Sequence, residues 1–228
     1  MLAIIAHRGR HDHHPENTLA AFSAAAEAGA TMVECDLRRT QDGALAIFHD
    51  PEIDRRPLAN LTLAELRDRS GIAVPTLEEL LDWASAAGVG IDLELKEDGY
   101  VDTVTDALTG FPGPLWLTSF LDPVLAQLAE RLPDVERGLL LSLTARAAAA
   151  RVRDCGAHGA VIEVGLLSAG VLDELVGAGL RAAAWDFLPE RRGHAEWLAD
   201  PRLHAVITDD VPGTRAALAH FPKDELRR

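Results

Sequence analysis

Cysteine is almost missing from this chain. Cys35 and Cys155 are the only two in 228 residues, and neither sits in a C-x-x-C or zinc-type spacing. That leaves no basis for a disulfide framework or a structural zinc site, and both thiols read as small buried apolar residues. No run of lysine or arginine interrupts a formal net charge of −14, which argues against nucleic acid or an anionic membrane surface as a partner. A small phosphate ester stays possible, because a metal ion reverses the sign locally. No apolar run approaches the ~18 residues that would suggest a bilayer span. The opening Met1-Leu2-Ala3-Ile4-Ile5-Ala6 is too short for a signal-peptide core and has no basic leader. From these absences we expect a soluble, cytoplasmic protein with no stable membrane association.

What is present is a rhythm. Apolar runs of four to six residues alternate with helical patterns from one end of the chain to the other. Leu2 to Ala6, Thr31 to Asp36, Gly90 to Leu95 and Leu115 to Thr118 read as strands, as do Arg137 to Ser142, Ala160 to Val164, Leu180 to Trp185 and Ala205 to Thr208. Between them, Asn17 is a candidate N-cap and Gly29 a helix stop. Thr62-x-x-Glu65 and Thr76-x-x-Glu79 are capping boxes, and Pro123 stands at a first helical position. Thr144 to Cys155 reads as an alanine-rich helix. About eight strand-then-helix units predict an α/β fold, a parallel sheet closed into a TIM (β/α)8 barrel, over residues 1–228 as one domain. The competing open doubly wound sheet is weaker, because no glycine-rich phosphate loop follows the first strand.

One stretch organises the rest. Glu34 and Asp36 stand two apart inside an apolar strand, so they share a face while Cys35 takes the other. Asp42-Gly43 predicts a reversal, which would bring the returning Leu45 to Phe48 alongside and carry His49 toward the two acids. Asp92, Glu94 and Lys96 repeat the alternation on the strand from Gly90. Random loop polarity would put charges at strand ends, but not acids inside apolar runs on one face. Burying several carboxylates is costly unless something positive compensates. A divalent cation does so, with Arg8 and Lys96 beside it, and all-oxygen donors favour Mg²⁺, Ca²⁺ or Mn²⁺ over zinc.

The pattern His7-Arg8-Gly9-x5-Pro15-Glu16-Asn17-Thr18, then Glu34-x-Asp36, Thr40-x-Asp42-Gly43, His49-Asp50 and Glu94-x-Lys96, resembles the glycerophosphodiester phosphodiesterase family. Pro75-Thr76-Leu77-Glu78-Glu79, Ser119-Phe120 and Thr208-Asp209 extend the resemblance over nearly the whole chain. It implies a TIM barrel, a divalent metal and hydrolysis of glycerophosphodiesters to glycerol 3-phosphate and an alcohol. Residue by residue, it implies Glu34, Asp36 and Glu94 as metal ligands. His7 and His49 would be the acid–base pair, and Arg8 and Lys96 would hold phosphate oxygens.

The chemistry suits those residue types, because an anionic diester needs its charge offset while one imidazole takes a proton and the other gives one. The attacker is either the substrate's own glycerol 2-hydroxyl, through a cyclic phosphate, or water; the resemblance favours the first. Trp185 is a candidate wall of the substrate pocket. His11, His13 and His14 are candidates for a second metal site, but no helix or strand fixes their loop and they read as incidental, and Ser119 lacks a base that would make it a nucleophile. The segment between His49 and Pro75 is shorter than in many relatives, so an insertion covering the substrate is short or absent. Trp185-Asp186-Phe187 also departs from the family's usual run. A shorter cover would suit a bulkier substrate, so lysophospholipase D-like or lyase action on lysophospholipids is the alternative. A non-catalytic ligand-binding barrel is the third possibility.

Overall fold

A computed structural model of the chain describes residues 2–221. The first strand, β1 (Ala3–Ala6), leads through α1 (Leu19–Glu27) to β2 (Met32–Arg39), which turns back into β3 (Leu45–Ile47). A small ribbon, β4 (Glu52–Ile53) and β5 (Arg56–Pro57), precedes α2 (Leu63–Ser70) and α3 (Leu77–Ala87). The alternation is then regular: β6 (Gly90–Leu95), α4 (Val101–Leu108), β7 (Leu115–Ser119), α5 (Asp122–Arg131), β8 (Glu136–Leu141) and α6 (Ala148–Asp154). It ends with β9 (Gly159–Glu163), α7 (Ala169–Gly177), β10 (Arg181–Phe187), β11 (Leu203–Thr208) and α8 (Val211–Ala219).

The parallel strands run in the order β1, β2, β6, β7, β8, β9, β10, β11, and β1 pairs with both β2 and β11. The sheet therefore closes into the (β/α)8 barrel, and the open-sheet alternative is excluded. Strand alternation sorts the side chains. Val33, Cys35 and Leu37 of β2 and Ile91, Leu93 and Leu95 of β6 belong to the large core between sheet and helices. Ile5, Val161, Ala183, Ala205 and Ile207 form a separate cluster inside the barrel. Glu34, Asp36, Asp92 and Glu94 are left pointing inward.

The hairpin forms as the Asp42-Gly43 pair predicts. Gly43 takes φ +82°, the Thr40 N–H donates to the Ala44 carbonyl at 3.0 Å, and Leu37 lies opposite Ile47. Both capping boxes are closed in each direction, and Gly71 and Gly88 end their helices left-handed. Residues 51–74 hold only the β4–β5 ribbon, a 3-10 turn and α2, so the segment after His49 is short.

Two expectations need correction. Thr18, not Asn17, caps α1: its side chain accepts from the Ala21 N–H, while Asn17 sits at φ +56° with another task. α6 begins at Ala148 rather than Thr144, after Ala147 at φ +54° breaks the alanine run. Helix α4 has no cap signal in the sequence, because Tyr100 ahead of it offers no capping side chain. Its buried Val101, Val104, Thr105 and Leu108 nonetheless keep helical spacing.

Candidate active site

Register builds the acidic centre. Glu34 of β2 lies opposite Asp92 of β6, and Asp36 lies opposite Glu94, so two strands deliver four buried carboxylates in two adjacent layers. Ligand oxygens of Glu34, Asp36 and Glu94 lie within 4.8 Å of one another. Lys96 Nζ bridges Asp36 Oδ1 at 2.8 Å and Glu94 Oε1 at 2.7 Å, and Arg8 Nε is 3.1 Å from Asp36 Oδ2. Burial alone would push Asp36 up, but Lys96 and Arg8 outweigh it and hold this carboxyl below its ordinary range. Burial drives Glu34 well above that range, with Asp36 and Glu94 adding to the effect. Burial also raises Glu94 despite Lys96, and pushes Asp92 up to about 8 although Thr118 donates it a hydrogen bond at 2.8 Å.

A divalent cation fits this donor set on the observation of one atom. Glu34 Oε1 is buried and has no hydrogen-bond partner among the described residues, while Oε2 accepts the Arg8 N–H at 2.9 Å. A buried carboxyl with one oxygen unsatisfied beside two other acids is poised for a hard cation with oxygen preference, whose charge would favour its ionised form.

The two imidazoles come from neighbouring elements. His7 follows β1, its backbone N–H donating to the Thr208 carbonyl at 3.0 Å. Arg8 takes φ +54° and Gly9 φ +79°; a Cβ on Gly9 would lie 2.7 Å from the Ala21 carbonyl carbon, so the turn requires glycine there. His49 stands at the end of the hairpin return, just after Phe48 donates its N–H to the Asp36 carbonyl at 2.9 Å. Each ring has a carboxylate at Nδ1: Asp209 Oδ1 accepts from His7 at 2.7 Å and Asp50 Oδ1 from His49 at 2.8 Å. Nε2 is then the nitrogen left for chemistry on both rings, and that of His7 is 4.0 Å from Glu34.

His7, Arg8, Glu34, His49, Glu94 and Lys96 line one side of a cavity of about 150 Å³, and Thr118, Phe120, Leu140 and Trp185 line another. Phe120 and Trp185 meet edge to face, with ring centroids 5.7 Å apart, and the Trp185 indole N–H donates to the Leu141 carbonyl at 3.0 Å. A larger groove of about 470 Å³ between α3 and α4 holds only Glu78 and Asp82 as titratable groups.

The structure thus brings together every residue the sequence nominated, with Asp36 just below the cavity lining against Arg8 and Lys96. Ser119 is structural: its hydroxyl donates to the Leu95 carbonyl and accepts the Leu121 N–H. Other contributors escaped sequence reasoning. Asn17 donates to Asp36 Oδ2 at 2.7 Å and accepts the Asp36 N–H at 3.2 Å. Arg38 Nε donates to the His49 carbonyl at 2.6 Å and Nη1 to Glu97 at 2.7 Å, bracing the loop that carries His49. His11 is not incidental, since its Nε2 also reaches Asp209, whereas His13 and His14 stay exposed. The one sequence signal for Asn17 is its place in the Pro15-Glu16-Asn17-Thr18 run; His11 stands out only as one of three loop histidines, and Arg38 has none.

A TIM barrel with carboxylates, cations and two imidazoles facing one mouth defines a class, the phosphoric diester hydrolases of this fold. The chain belongs to the glycerophosphoryl diester phosphodiesterase family, whose model matches residues 7–212. It is 32% identical to the uncharacterized protein YqiK of Bacillus subtilis over 164 residues, 62% of this chain and 68% of that protein. Against a glycerophosphodiester phosphodiesterase of Bacillus altitudinis the identity is 29% over 163 residues, covering 61% and 66%. The matched stretches thus span about two thirds of these curated relatives. An Oleispira antarctica phosphodiesterase, solved with the product sn-glycerol-3-phosphate, superposes with a TM-score of 0.84 at 27% identity, covering 95% of this chain and 96% of that one. Among the described residues no helix is long and apolar enough to cross a membrane.

Proposed function

We propose that this chain, acting as one unit, hydrolyses glycerophosphodiesters to glycerol 3-phosphate and an alcohol with a divalent cation, Mg²⁺ or Ca²⁺, Mn²⁺ also fitting the oxygen donors. The observation that carries the reading is the unpaired Glu34 Oε1 beside Asp36 and Glu94, within a cavity that His7 and His49 also line. The cation, held by Glu34, Asp36 and Glu94, would supply positive charge against the phosphoryl oxygens.

The chain's own residues do the rest. Lys96 uses two of its three N–H donors on Asp36 and Glu94, which leaves one for a phosphate oxygen. Arg8 faces Asp36 through Nε as an ion pair and donates Nη1 to Glu16, which leaves Nη2 for the substrate. One imidazole takes the proton of the attacking hydroxyl through Nε2, and the other delivers one to the departing alkoxide. We assign His49 as base and His7 as acid for the first step; if the glycerol 2-hydroxyl attacks, the roles reverse when water opens the cyclic phosphate. Trp185 walls the pocket for the leaving alcohol. The unpaired, buried Cys35 and Cys155 support a reducing compartment, the cytoplasm, as the place of work.

Phe120, Leu121 and Leu143 favour a second reading. They are exposed, and they leave the ends of β7 and β8 at the same mouth. That apolar rim would suit the acyl chain of a lysophospholipid. The test is a panel of glycerophosphocholine, glycerophosphoethanolamine, glycerophosphoglycerol and a lysophospholipid, each with Mg²⁺, Ca²⁺ or EDTA. Glycerol 3-phosphate released only with metal is the expected result; lysophosphatidate or its cyclic form would favour the rim reading, and no product under any condition would leave a binding barrel. His49→Ala is expected to lower kcat by about 10²–10⁴-fold with fold and metal uptake intact.

A further inference from the structure

Two residues at the mouth, Asp209 and His11, have no task in the reaction as drawn. Asp209 Oδ1 accepts the Nδ1–H of His7 at 2.7 Å and the Nε2–H of His11 at 3.1 Å. The three side chains are partly exposed, at 31% for His7, 30% for His11 and 41% for Asp209, so water competes for every one of these contacts. Their backbones are nonetheless tied. Thr208, which accepts the His7 N–H, also accepts the Asp210 N–H on its hydroxyl at 3.1 Å. Asp210 then caps α8 through the Gly213 N–H at 2.9 Å. On the other side, the Arg10 N–H donates to the Ala21 carbonyl at 2.8 Å, and the Arg10 side chain pairs with Asp12. Two anchored turns therefore present His11 and Asp209 to each other.

We infer that Asp209 and His11 are positioning residues for His7: Asp209 fixes which ring nitrogen carries the proton, and His11 fixes Asp209. The inference rests on the reading of His7 as one of the two proton-transferring imidazoles. A neutral imidazole carries one N–H, and an anionic acceptor at Nδ1 places it there, so Nε2 faces the carboxylates ready to exchange a proton. Once His7 is protonated, the same carboxylate stabilises the imidazolium. A single exposed aspartate would sample several rotamers; the second donor from His11 removes that freedom. Consistent with this, burial would raise the Asp209 carboxyl, but the two imidazoles outweigh it and keep it well below its ordinary range.

The same three residues are a poor metal site. The rings of His7 and His11 are edge-on at 77° with centroids 6.5 Å apart. One ion bound to both nitrogens at ~2.0–2.1 Å would hold the rings closer than that. The distances are those of hydrogen bonds, and a carboxylate bridging two imidazoles accounts for both. His49 offers an internal contrast, because its Asp50 is a chain neighbour, 64% exposed, with no second histidine holding it.

The test combines kinetics with the tautomer itself. With saturating Mg²⁺, Asp209→Ala should lower kcat by about 10²-fold with KM little changed. It should also erase the downfield His7 Nδ1–H resonance and mix the tautomers in ¹⁵N spectra. His11→Ala should lower kcat about tenfold and broaden that resonance. His11→Gln, which keeps a donor at a similar reach, should restore both. A wild-type His7 protonated at Nε2, a resonance unmoved by Asp209→Ala, or a His11→Ala variant with normal kcat and resonance would overturn the inference. So would glutamine failing to rescue a variant that melts normally. If wild type turns over no phosphodiester, the proposed activity falls, and the ¹⁵N spectra still decide the tautomer.

Discussion

The mouth of the barrel has two unlike halves. β11, β1, β2 and β6 are contiguous around the sheet and bring Asp209, His7, Arg8, Glu34, Asp36, Glu94 and Lys96, with His49 arriving on the hairpin from β2. From the opposite arc, β7, β8 and β10 line the cavity with Thr118, Phe120, Leu140 and Trp185. The first half is held by ion pairs and hydrogen bonds whose partners are fixed by strand register, so a shift of one residue would turn its carboxylates outward. Apolar contact, the Phe120–Trp185 pair above all, holds the second, and such contact tolerates changes of shape better than polar networks do. The division separates the chemistry, which needs fixed charges, from the choice of leaving group, which needs only a fitting surface.

The largest expected effect breaks the charged half. Glu34→Gln keeps an oxygen for the Arg8 N–H but removes the charge beside Asp36 and Glu94. Loss of several kcal/mol of transition-state stabilisation should lower kcat/KM about 10³-fold or more, with Mg²⁺ binding weakened in calorimetry. Because a buried carboxylate under like-charge pressure is removed, the metal-free variant should melt higher than wild type. A variant that keeps its activity, or melts lower without metal, would count against the assignment of Glu34.

A smaller effect should come from the apolar half. Phe120→Ala removes the edge-to-face partner of Trp185. KM for diesters with bulky alcohols should rise about tenfold, the scale set by an aromatic pair worth ~0.5–1.5 kcal/mol together with its lost contact area, while kcat for glycerophosphoglycerol should stay within twofold of wild type. If kcat instead falls equally for all substrates, the two halves are not separable in function.

The two halves also differ in how far they could be read from the chain. Glu34, Asp36 and Glu94 announced themselves because acids at alternate positions inside an apolar strand violate the usual pattern. His49 followed from the Asp42-Gly43 turn, whose geometry is local. An asparagine two residues after a proline looks like a cap, yet the cap is Thr18 and Asn17 braces Asp36. His11 and Asp209 are 198 positions apart, so nothing short of barrel closure could pair them. Phe120 could be placed after a strand, but its packing on Trp185 depends on two strands that are not neighbours in the sheet. Helix α4 carried its periodic apolar set in plain view, but it lacks the cap that marked the helices before it.

The subtlest expectation concerns Asp92, which lies in the charged half yet serves no metal. It lies below the triad, accepting from Thr118, with its other oxygen unpaired among the described residues. Its folded pKa of about 8 lies above the ordinary carboxylate value, so between the two the folded protein holds a proton that the unfolded chain has released. Stability then falls as pH rises through that interval, because the native state binds more protons than the unfolded one. The contribution is whole below the unfolded value and gone once pH passes the folded one. Asn at position 92 can still accept the Thr118 hydroxyl and has no proton to lose. Metal-free Asp92→Asn should therefore gain on wild type steadily as pH rises from about 4 to about 8, by up to about 1.4 kcal/mol per pH unit. Glu34 and Glu94, also raised, keep part of the pH slope in both proteins. Parallel melting curves for the two proteins across that range would mean that Asp92 stays ionised in the fold, and that the positive charge of Lys96 and Arg8 reaches one layer deeper than the ion pairs indicate.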